Sequence, residues 1–303
     1  MVPDLAGAGL AWLQPEVIYN MPPSPALFRP RSLTEAFDLL AAHRDSKPIS
    51  GGASLVAMMN AGLVAPAALI SLTRIPELSG IAVTGAGSIR IGAATRHNDI
   101  AVDHRLIGTA AVIAHAASQI ASVAVRNMGT IGGAVAHADP GLDFPPALMA
   151  TEASVEVASI AGRRSVPIRE FFVDWYSTAL DPGEIVSAID IAKPKPGVGL
   201  YLKHARVSGD YAIVSVAVSL ARDGEVRVAV GSCGPTPLAS GEVDRMLSAD
   251  LSAAVTARAA DLLVAMANPI DDVRGSAEYR KTLIPRMLSR ALRDVTAMSR
   301  EAA

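Results

Sequence analysis

Two short glycine-rich stretches are the part of this sequence best suited to binding chemistry. The first reads SGGASL at residues 50–55, and the second reads GTIGGA at residues 129–134. Small residues permit positive φ angles and a close approach of the backbone, and a helix that follows such a loop offers free N–H groups. Each stretch is therefore suited to hold an anion. The two together predict a ligand with two linked phosphates, such as a dinucleotide.

The familiar phosphate-binding motifs do not fit either stretch. The chain has no Gly-Lys dipeptide, which excludes a Walker loop, and GAGSIR at residues 85–90 puts Arg90 where the dinucleotide fingerprint needs its third glycine. Either stretch alone would also fit a tight structural turn. The ligand interpretation depends on the two occurring together, with Asp143 shortly after the second.

Three polar residues, Asp143, Lys203 and Asp139, could contribute to a ligand site or have a structural role. Asp143 could accept a hydrogen bond from a sugar hydroxyl or a ring N–H, or it could cap a helix at PPALMA. Lys203, in the strand-like segment YLKHAR, could face an acceptor oxygen or be solvated. Asp139 precedes Pro140 and is predicted to form a turn.

Side chains for other kinds of catalysis are sparse. None of the six histidines pairs with another histidine or a cysteine at metal-ligand spacing, and no G-x-S-x-G motif is present. The single cysteine, Cys233, excludes a disulfide within the chain, and we expect it to be a small buried hydrophobe. His97 is expected to cap or orient a helix start, and His137 to be packed or to face a cofactor.

Composition and charge exclude two classes of partner. The 303 residues include 27 basic and 29 acidic ones, and the formal net charge of −2 argues against nucleic acid. Residues 106–125 are long enough to span a membrane, but they contain histidine, glutamine, serine and threonine. We therefore predict one buried helix and no membrane span. No Lys or Arg precedes Arg29, so a signal peptide is not expected and the predicted location is cytoplasmic.

The elements that must position these residues alternate along the chain. Residues 1–23 are interpreted as an extension, Ser32 opens a helix, and Gly62 closes the helix after the first glycine stretch. Strand patterns follow on both sides of the second stretch, up to the linker KPKPG at residues 193–197. Beyond it an antiparallel meander turns at the Asp-Gly of residues 223–224, and the tail from Ser248 is mostly helical. The predicted class is α+β.

Five segments in this order resemble one known family. SGGASL, TRHNDIA, RNMGTIGGAVAHADPGLDFPPAL, YLKHARVSGDYA and GSAEYRK are similar to the FAD-binding medium subunit of the molybdenum hydroxylases, the xanthine dehydrogenase and carbon monoxide dehydrogenase type. The resemblance implies a vanillyl-alcohol-oxidase-type (PCMH) fold. It places an FAD-binding domain at residues 24–196, with two α+β subdomains at about 24–85 and 86–196. A C-terminal domain of antiparallel strands and helices follows at residues 197–303.

The resemblance also implies the residues that contact FAD. They are Ser50, Gly51, Gly52, Ala53, Ser54 and Leu55 in the first stretch, Thr130, Ile131, Gly132, Gly133 and Ala134 in the second, and Asp143, Val186, Lys203 and Tyr211 beyond them. Val186 falls where an apolar residue lines the nucleotide site, and Tyr211 aligns with an aromatic beside the isoalloxazine ring. Ala134 and Ala53 depart from the family's usual Asn and its Thr or His, so altered flavin contacts are expected.

The implied function is electron transfer within a larger complex. FAD in this chain would take electrons from [2Fe-2S] clusters in a small subunit, while a large subunit holds molybdopterin, and two such heterotrimers would pair. No residue of this chain need act as a catalytic acid or base, and no metal site is expected in it. Two alternatives stay open at this point: a free-standing FAD-dependent oxidase or reductase, and a non-enzymatic assembly protein with a vestigial FAD site.

Overall fold

Three sheets of three to five strands, a two-stranded hairpin and the helices between them make up the part of the chain that the structure describes. A computed structural model describes residues 24–301, so the predicted extension at residues 1–23 lies outside the described residues. Each sheet packs against helices, and buried apolar side chains form three clusters. The predicted mixture of strands and helices is confirmed. Among the described residues, no helix is both long and apolar enough to cross a membrane.

The first sheet positions the first glycine stretch. Its elements are β1 (Ala26–Phe28), α1 (Leu33–Ala42), β2 (Ser46–Ile49), α2 (Leu55–Asn60) and β3 (Ala68–Ser71). The three strands are parallel, in the order β1-β3-β2. Ser32 caps α1 as predicted, because its hydroxyl accepts a hydrogen bond from the Glu35 amide. The glycine stretch at residues 50–55 joins the end of β2 to the start of α2, and Gly62 follows α2 with φ +69°.

The second sheet surrounds the second glycine stretch. In chain order its region contains β4 (Ile81–Val83), β5 (Ile89–Gly92), α3 (His97–Ala101), α4 (Ala111–Ser118), α5 (Val123–Arg126), α6 (Ile131–His137), α7 (Phe144–Met149), β6 (Ser154–Ser159), β7 (Gly162–Pro167), α8 (Ile168–Phe171), β8 (Phe172–Asp174), β9 (Ser177–Thr178) and β10 (Ile185–Ile191). The five-stranded antiparallel sheet has the order β4-β5-β10-β6-β7, and β8 and β9 form a separate hairpin. Since β4 already belongs to this sheet, the sheet begins a few residues before the predicted subdomain boundary near residue 85.

The single helix predicted for residues 106–125 is wrong. A short 3-10 turn at Gly108–Ala110 leads into α4, and a break separates α4 from α5. Ala121 has φ +39° in this break, and the Ser122 hydroxyl caps α5. One long-range and two local hydrogen bonds stabilise the break: the Gln119 side chain donates to the Tyr201 carbonyl at 3.0 Å, and the nearby Arg126 donates to the carbonyls of residues 120–121. A pattern of apolar residues does not report such contacts.

The third sheet is the predicted meander, and the helical tail packs on it. Its elements are β11 (Gly197–His204), β12 (Val214–Ala221), β13 (Val226–Gly231), α9 (Gly241–Ala249), α10 (Ala253–Met266) and α11 (Ala277–Glu301). Every residue of the central strand β12 is buried. Val216 and Val218 join the cluster formed with the tail helices, whereas Ala217 points to the cluster of the second sheet. Both faces of β12 are therefore covered, which explains its continuous apolar sequence.

Candidate functional site

The first glycine stretch forms a turn whose backbone amides are unpaired. Gly52 has φ +74°, a conformation that residues with side chains rarely adopt. Among the described residues, no acceptor receives a hydrogen bond from the amides of Gly51, Gly52, Ala53 or Ser54. The Ser50 hydroxyl is buried and likewise has no partner in the described part of the chain. Because unpaired polar groups are costly once water is excluded, these clustered donors suit an oxygen-rich anionic ligand.

The two glycine stretches lie against each other. A Cβ atom added to Gly51 would lie 1.9 Å from the carbonyl oxygen of Met128 and 2.7 Å from the Cα of Gly129. Real Cβ atoms do not approach so closely, so only glycine allows this contact. The fold therefore brings the two stretches that the sequence singled out into a single region.

Most of the second stretch is helical, whereas the sequence predicts a loop before a helix. Helix α6 begins at Ile131, and the Thr130 hydroxyl caps it by accepting a 3.3 Å hydrogen bond from the Gly133 amide. The amides of Ile131 and Gly132 donate to carbonyl oxygens of residues 93–95, at 3.1 and 2.8 Å. These two amides are already paired, so the unpaired amide donors of the site lie in the first stretch.

Most small residues of the second stretch serve packing. A Cβ atom on Gly132 would lie 2.4 Å from the Cβ of Ala93, so this glycine lets α6 pack closely on the chain beside it. The side chains of Ile131 and Ala134 are buried in the apolar cluster of the second sheet. Gly133 is exposed, and a Cβ there would meet only the Thr130 hydroxyl, at 3.1 Å. Gly133 is thus the position of this stretch where backbone is open to a ligand.

Asp143 belongs to a buried polar triad. Its carboxylate accepts a 2.6 Å hydrogen bond from the Tyr201 hydroxyl and lies 3.0 Å from the Lys203 ammonium, which also donates to the Gln119 carbonyl at 2.7 Å. The side chains of Asp143 and Lys203 are 7% and 4% exposed. Tyr201 and Lys203 stand two residues apart on β11, so both side chains leave the strand on the same face. Asp143 precedes α7 but makes no capping hydrogen bond, so that alternative is wrong.

Burial shapes the protonation of this triad. It raises the pKa of Asp143, although the nearby Lys203 and the hydrogen bond from Tyr201 act in the opposite direction. Burial and the adjacent carboxylate together raise the pKa of Tyr201 well above its usual value. Tyr201 therefore stays protonated as the donor. Sequence reasoning missed Tyr201, whose only signal was its spacing of two from Lys203.

The remaining predicted positions differ in their accessibility. Val186 lies on β10 with its side chain buried in the cluster of the second sheet. Leu55 is the first residue of α2 and is half-buried. Tyr211 is 37% exposed, and the Arg274 guanidinium lies 4.8 Å from its ring centroid. The structure therefore offers Tyr211 to a ligand directly, whereas Val186 contributes mainly to the core.

Two clefts open near these residues. The larger, of about 570 Å³, is bounded by residues 118–126 and by residues 203–209, and it contains the cations Arg126, Lys203 and Arg206. The smaller, of about 130 Å³, includes Tyr211 and residues of the C-terminal part. Lys203 of the buried triad is one of the residues that line the larger cleft, and the size and cations of this cleft suit an extended ligand with acceptor oxygens.

The histidines take structural positions. His97 is the first residue of α3 but makes no capping hydrogen bond; it packs against Phe144 and the backbone of Gly129. Its Nδ1 has no partner among the described residues, and burial lowers the pKa of His97 to about 4. His137 packs against Tyr176, with ring centroids 5.6 Å apart. In residues 24–301, no group of His, Cys, Asp or Glu side chains is arranged to hold a metal ion.

Cys233 and Asp139 have the roles that the sequence predicts. Cys233 is fully buried, and burial raises the pKa of its thiol to about 12. Asp139 accepts a 2.8 Å hydrogen bond from the Gly141 amide, which closes the predicted turn.

The residues present fit FAD. The unpaired amides of residues 51–54 and the buried Ser50 hydroxyl match a pyrophosphate, because phosphate oxygens accept many hydrogen bonds from backbone N–H groups. Gly133 is exposed and has no side chain of its own to block a ligand. The larger cleft, whose lining includes Arg126 shortly before the second stretch, adds room and positive charge.

Family models account for almost the whole described chain. Residues 22–194 match the FAD binding domain in molybdopterin dehydrogenase, and residues 200–295 match the CO dehydrogenase flavoprotein C-terminal domain. The carbon monoxide dehydrogenase medium chain of Hydrogenophaga pseudoflava is 36% identical over 279 residues, which are 90% of this chain and 97% of the relative. The glyceraldehyde dehydrogenase medium chain of Sulfolobus acidocaldarius is 31% identical, covering 90% of this chain and 99% of the relative.

Solved structures agree with the sequence comparison. The carbon monoxide dehydrogenase of Hydrogenophaga pseudoflava superposes with a TM-score of 0.87 at 35% identity, covering 91% of this chain and 98% of the other. Quinoline 2-oxidoreductase from Pseudomonas putida 86 gives a TM-score of 0.85 at 29% identity, covering 91% and 98%. The predicted fold is confirmed. This chain belongs to the family of FAD-binding medium subunits of the molybdenum hydroxylases.

Proposed function

We propose that this chain carries FAD and transfers electrons from the [2Fe-2S] clusters of a partner subunit to an external acceptor. The observation that carries the proposal is the cluster of unpaired donors at residues 50–54, held against the second glycine stretch. When bound, FAD supplies the redox chemistry, accepting and releasing electrons. The chain's own residues bind and orient it and set the electrostatics around it.

The contribution of each part of the site follows from its geometry. The amides of residues 51–54 and the Ser50 hydroxyl would donate to the pyrophosphate, and the surface at Gly133 would let the cofactor approach α6. Lys203 would present a cation from the larger cleft, held by Asp143. Tyr211 would shield the redox end of the cofactor. Leu55, Thr130, Ile131, Gly132, Ala134 and Val186 would shape the site through backbone position and packing.

The partners follow from the family and the cysteine count. Iron–sulfur clusters are held by cysteine thiolates, and this chain has one cysteine, buried in the core. The clusters therefore belong to a small subunit and the molybdopterin to a large one. The pairing of two heterotrimers and the cytoplasmic location stay predictions, as do the domain limits of 24–196 and 197–303. Similarity to carbon monoxide dehydrogenase and glyceraldehyde dehydrogenase subunits does not single out one substrate.

A matched pair of glycine variants tests the flavin site. Gly51→Ala forces a methyl group onto the Met128 carbonyl, whereas Gly85→Ala adds one in open space, where a Cβ has no neighbour within 4 Å. Both variants are purified as the native complex, and bound FAD is measured by absorbance per chain. We expect Gly51→Ala to retain less than about a tenth of the FAD, since losing two charge-assisted hydrogen bonds costs roughly 3 kcal/mol or more. Full FAD content in Gly51→Ala would contradict the placement of the pyrophosphate.

A further inference from the structure

We infer that a small oxyanion, a phosphate or a carboxylate, binds in the smaller cleft beside Tyr211. This oxyanion cleft is about 130 Å³ in volume, and the residues that carry the argument are Ser232, Arg274, Arg280, Tyr211 and Trp175. It lies between residues 139–141 and 175–176 on one side and the C-terminal part of the chain on the other. The inference does not depend on the proposed flavin contacts.

Two buried donors in the cleft lack acceptors. The Ser232 hydroxyl and the Arg280 Nε are both buried without a hydrogen-bond partner among the described residues, and these residues are 8% and 4% exposed. Arg280 is held firmly, because its Nη1 donates to the Ile213 carbonyl at 2.6 Å and its Nη2 to Asp272 at 2.7 Å. A buried donor without an acceptor is costly, so a ligand oxygen at this point would be favourable.

Arg274 adds a guanidinium with unused hydrogen-bonding capacity. Its side chain donates no hydrogen bond within the described residues, and its Nε is buried. It stacks over the Tyr211 ring and has only loose ion pairs, at 3.5 Å to Asp210 and 3.7 Å to Asp272. A guanidinium presents a planar fork of N–H groups that matches a carboxylate or phosphate.

Both carboxylates that line the cleft already accept hydrogen bonds from the protein. Asp139 accepts hydrogen bonds from the Gly141 amide at 2.8 Å and the Tyr176 hydroxyl at 3.2 Å. Asp272 accepts through Oδ1 from Arg280 and from the amides of residues 274–275, and its Oδ2 lies 3.7 Å from the Arg274 guanidinium. The buried side-chain groups of the cleft that lack partners in the described part of the chain can all donate, which favours an acceptor-rich ligand. The lining contains two arginines and two aspartates, so the net charge of the cleft is small. We therefore expect a dissociation constant for the anion in the millimolar range.

Trp175 allows binding to be measured directly. The chain has two tryptophans, and Trp12→Phe leaves Trp175, which lines the cleft, as the only one. In this background the full chain is titrated with inorganic phosphate and, separately, with acetate, at ionic strength held constant with chloride. We expect a saturable change in fluorescence with at least one of the two anions.

Three variants in the same background separate the site from general charge effects. Arg274→Gln is expected to weaken binding about tenfold, the size of a lost hydrogen bond to a charged group. Ser232→Gly removes the hydroxyl without backbone strain, since Ser232 has φ +65°, and should weaken binding by roughly fivefold. Arg290→Gln is the control, because it removes the same charge from a side chain that is 65% exposed. The affinity of this variant for the anion should be unchanged.

The outcomes decide the inference in both directions. No saturable response to either anion, or equal affinities in Arg274→Gln and Arg290→Gln, would overturn it. Repeating the titration with FAD bound tests for a separate site: unchanged affinity supports the inference, whereas competition with FAD would assign these donors to the flavin and overturn it. FAD binding by itself is measured independently, so failure here leaves the proposed function standing.

Discussion

The Tyr201 hydroxyl donates a 2.6 Å hydrogen bond to the Asp143 carboxylate inside the protein. Tyr201 lies on β11 of the third sheet, and Asp143 follows the second glycine stretch by nine residues. The bond therefore joins the C-terminal sheet to the segment that carries the candidate flavin site. Lys203, on the same strand, reinforces the connection through its ion pair with Asp143.

Removing the Tyr201 hydroxyl should lower stability without unfolding the protein. Tyr201→Phe keeps the buried ring but removes one of the two groups that pair with the buried Asp143 carboxylate, which costs about 1–3 kcal/mol. Urea unfolding of the full chain measures the change. Tyr279→Phe is the control: within residues 24–301 the Tyr279 hydroxyl has a hydrogen bond only with His204, at 3.2 Å near the surface, so the stability of this variant should stay within about 0.5 kcal/mol of the parent. Equal free energies of unfolding for the two variants would show that the hydrogen bond from Tyr201 to Asp143 does not stabilise the fold.

Replacing Lys203 should cost more, and the cost should depend on pH. Lys203→Met leaves the Asp143 charge buried without its counter-ion, a change worth about 3–5 kcal/mol. Burial already raises the pKa of Asp143, and losing the lysine removes an opposing influence, so the pKa should rise further. The stability difference from the parent should therefore shrink as the pH is lowered and Asp143 becomes protonated. A difference that stays constant from neutral to acid pH would contradict this account.

His97 should make the fold sensitive to mild acid. Its pKa is about 4 in the folded chain against 6.5 for an ordinary histidine, because burial and the nearby Arg126 disfavour the charged ring. The unfolded chain thus binds more protons below pH 6.5, so stability present above 6.5 is lost as the pH falls towards 4, by about 3 kcal/mol in all. In His97→Gln this slope should disappear, as unfolding at a series of pH values would show. His104→Gln, at an exposed position, should keep the slope.

Much of the site was predictable from sequence because its signals are local. The glycine pair at residues 51–52 marks a turn with a positive φ, and the period-two patterns of β6, β7 and β10 mark strands. The Asp-Gly turn at residues 223–224 likewise marks a hairpin. The resemblance to the medium subunits then supplied the ligand and the family, which the comparisons confirm.

The parts that sequence did not predict depend on contacts between distant residues. Gly132 looked like a ligand-facing residue, yet its missing side chain makes room for Ala93. Tyr201 was not singled out in the sequence, yet it donates to a carboxylate 58 residues away. The break between α4 and α5 is held in part by the hydrogen bond from Gln119 to the Tyr201 carbonyl, 82 residues away. A residue's type does not reveal which partner the fold will bring to it.

A visible absorption spectrum of the native complex, with its denatured chains sized on a gel, tests whether this chain carries FAD within a larger electron-transfer complex. We expect flavin peaks together with broad iron–sulfur absorbance, and two partner chains beside this one. Flavin absorbance with this chain alone would instead indicate a self-sufficient oxidase or reductase. The absence of flavin, even after FAD is added to the complex, would contradict the claim that the donors at residues 50–54 bind the cofactor.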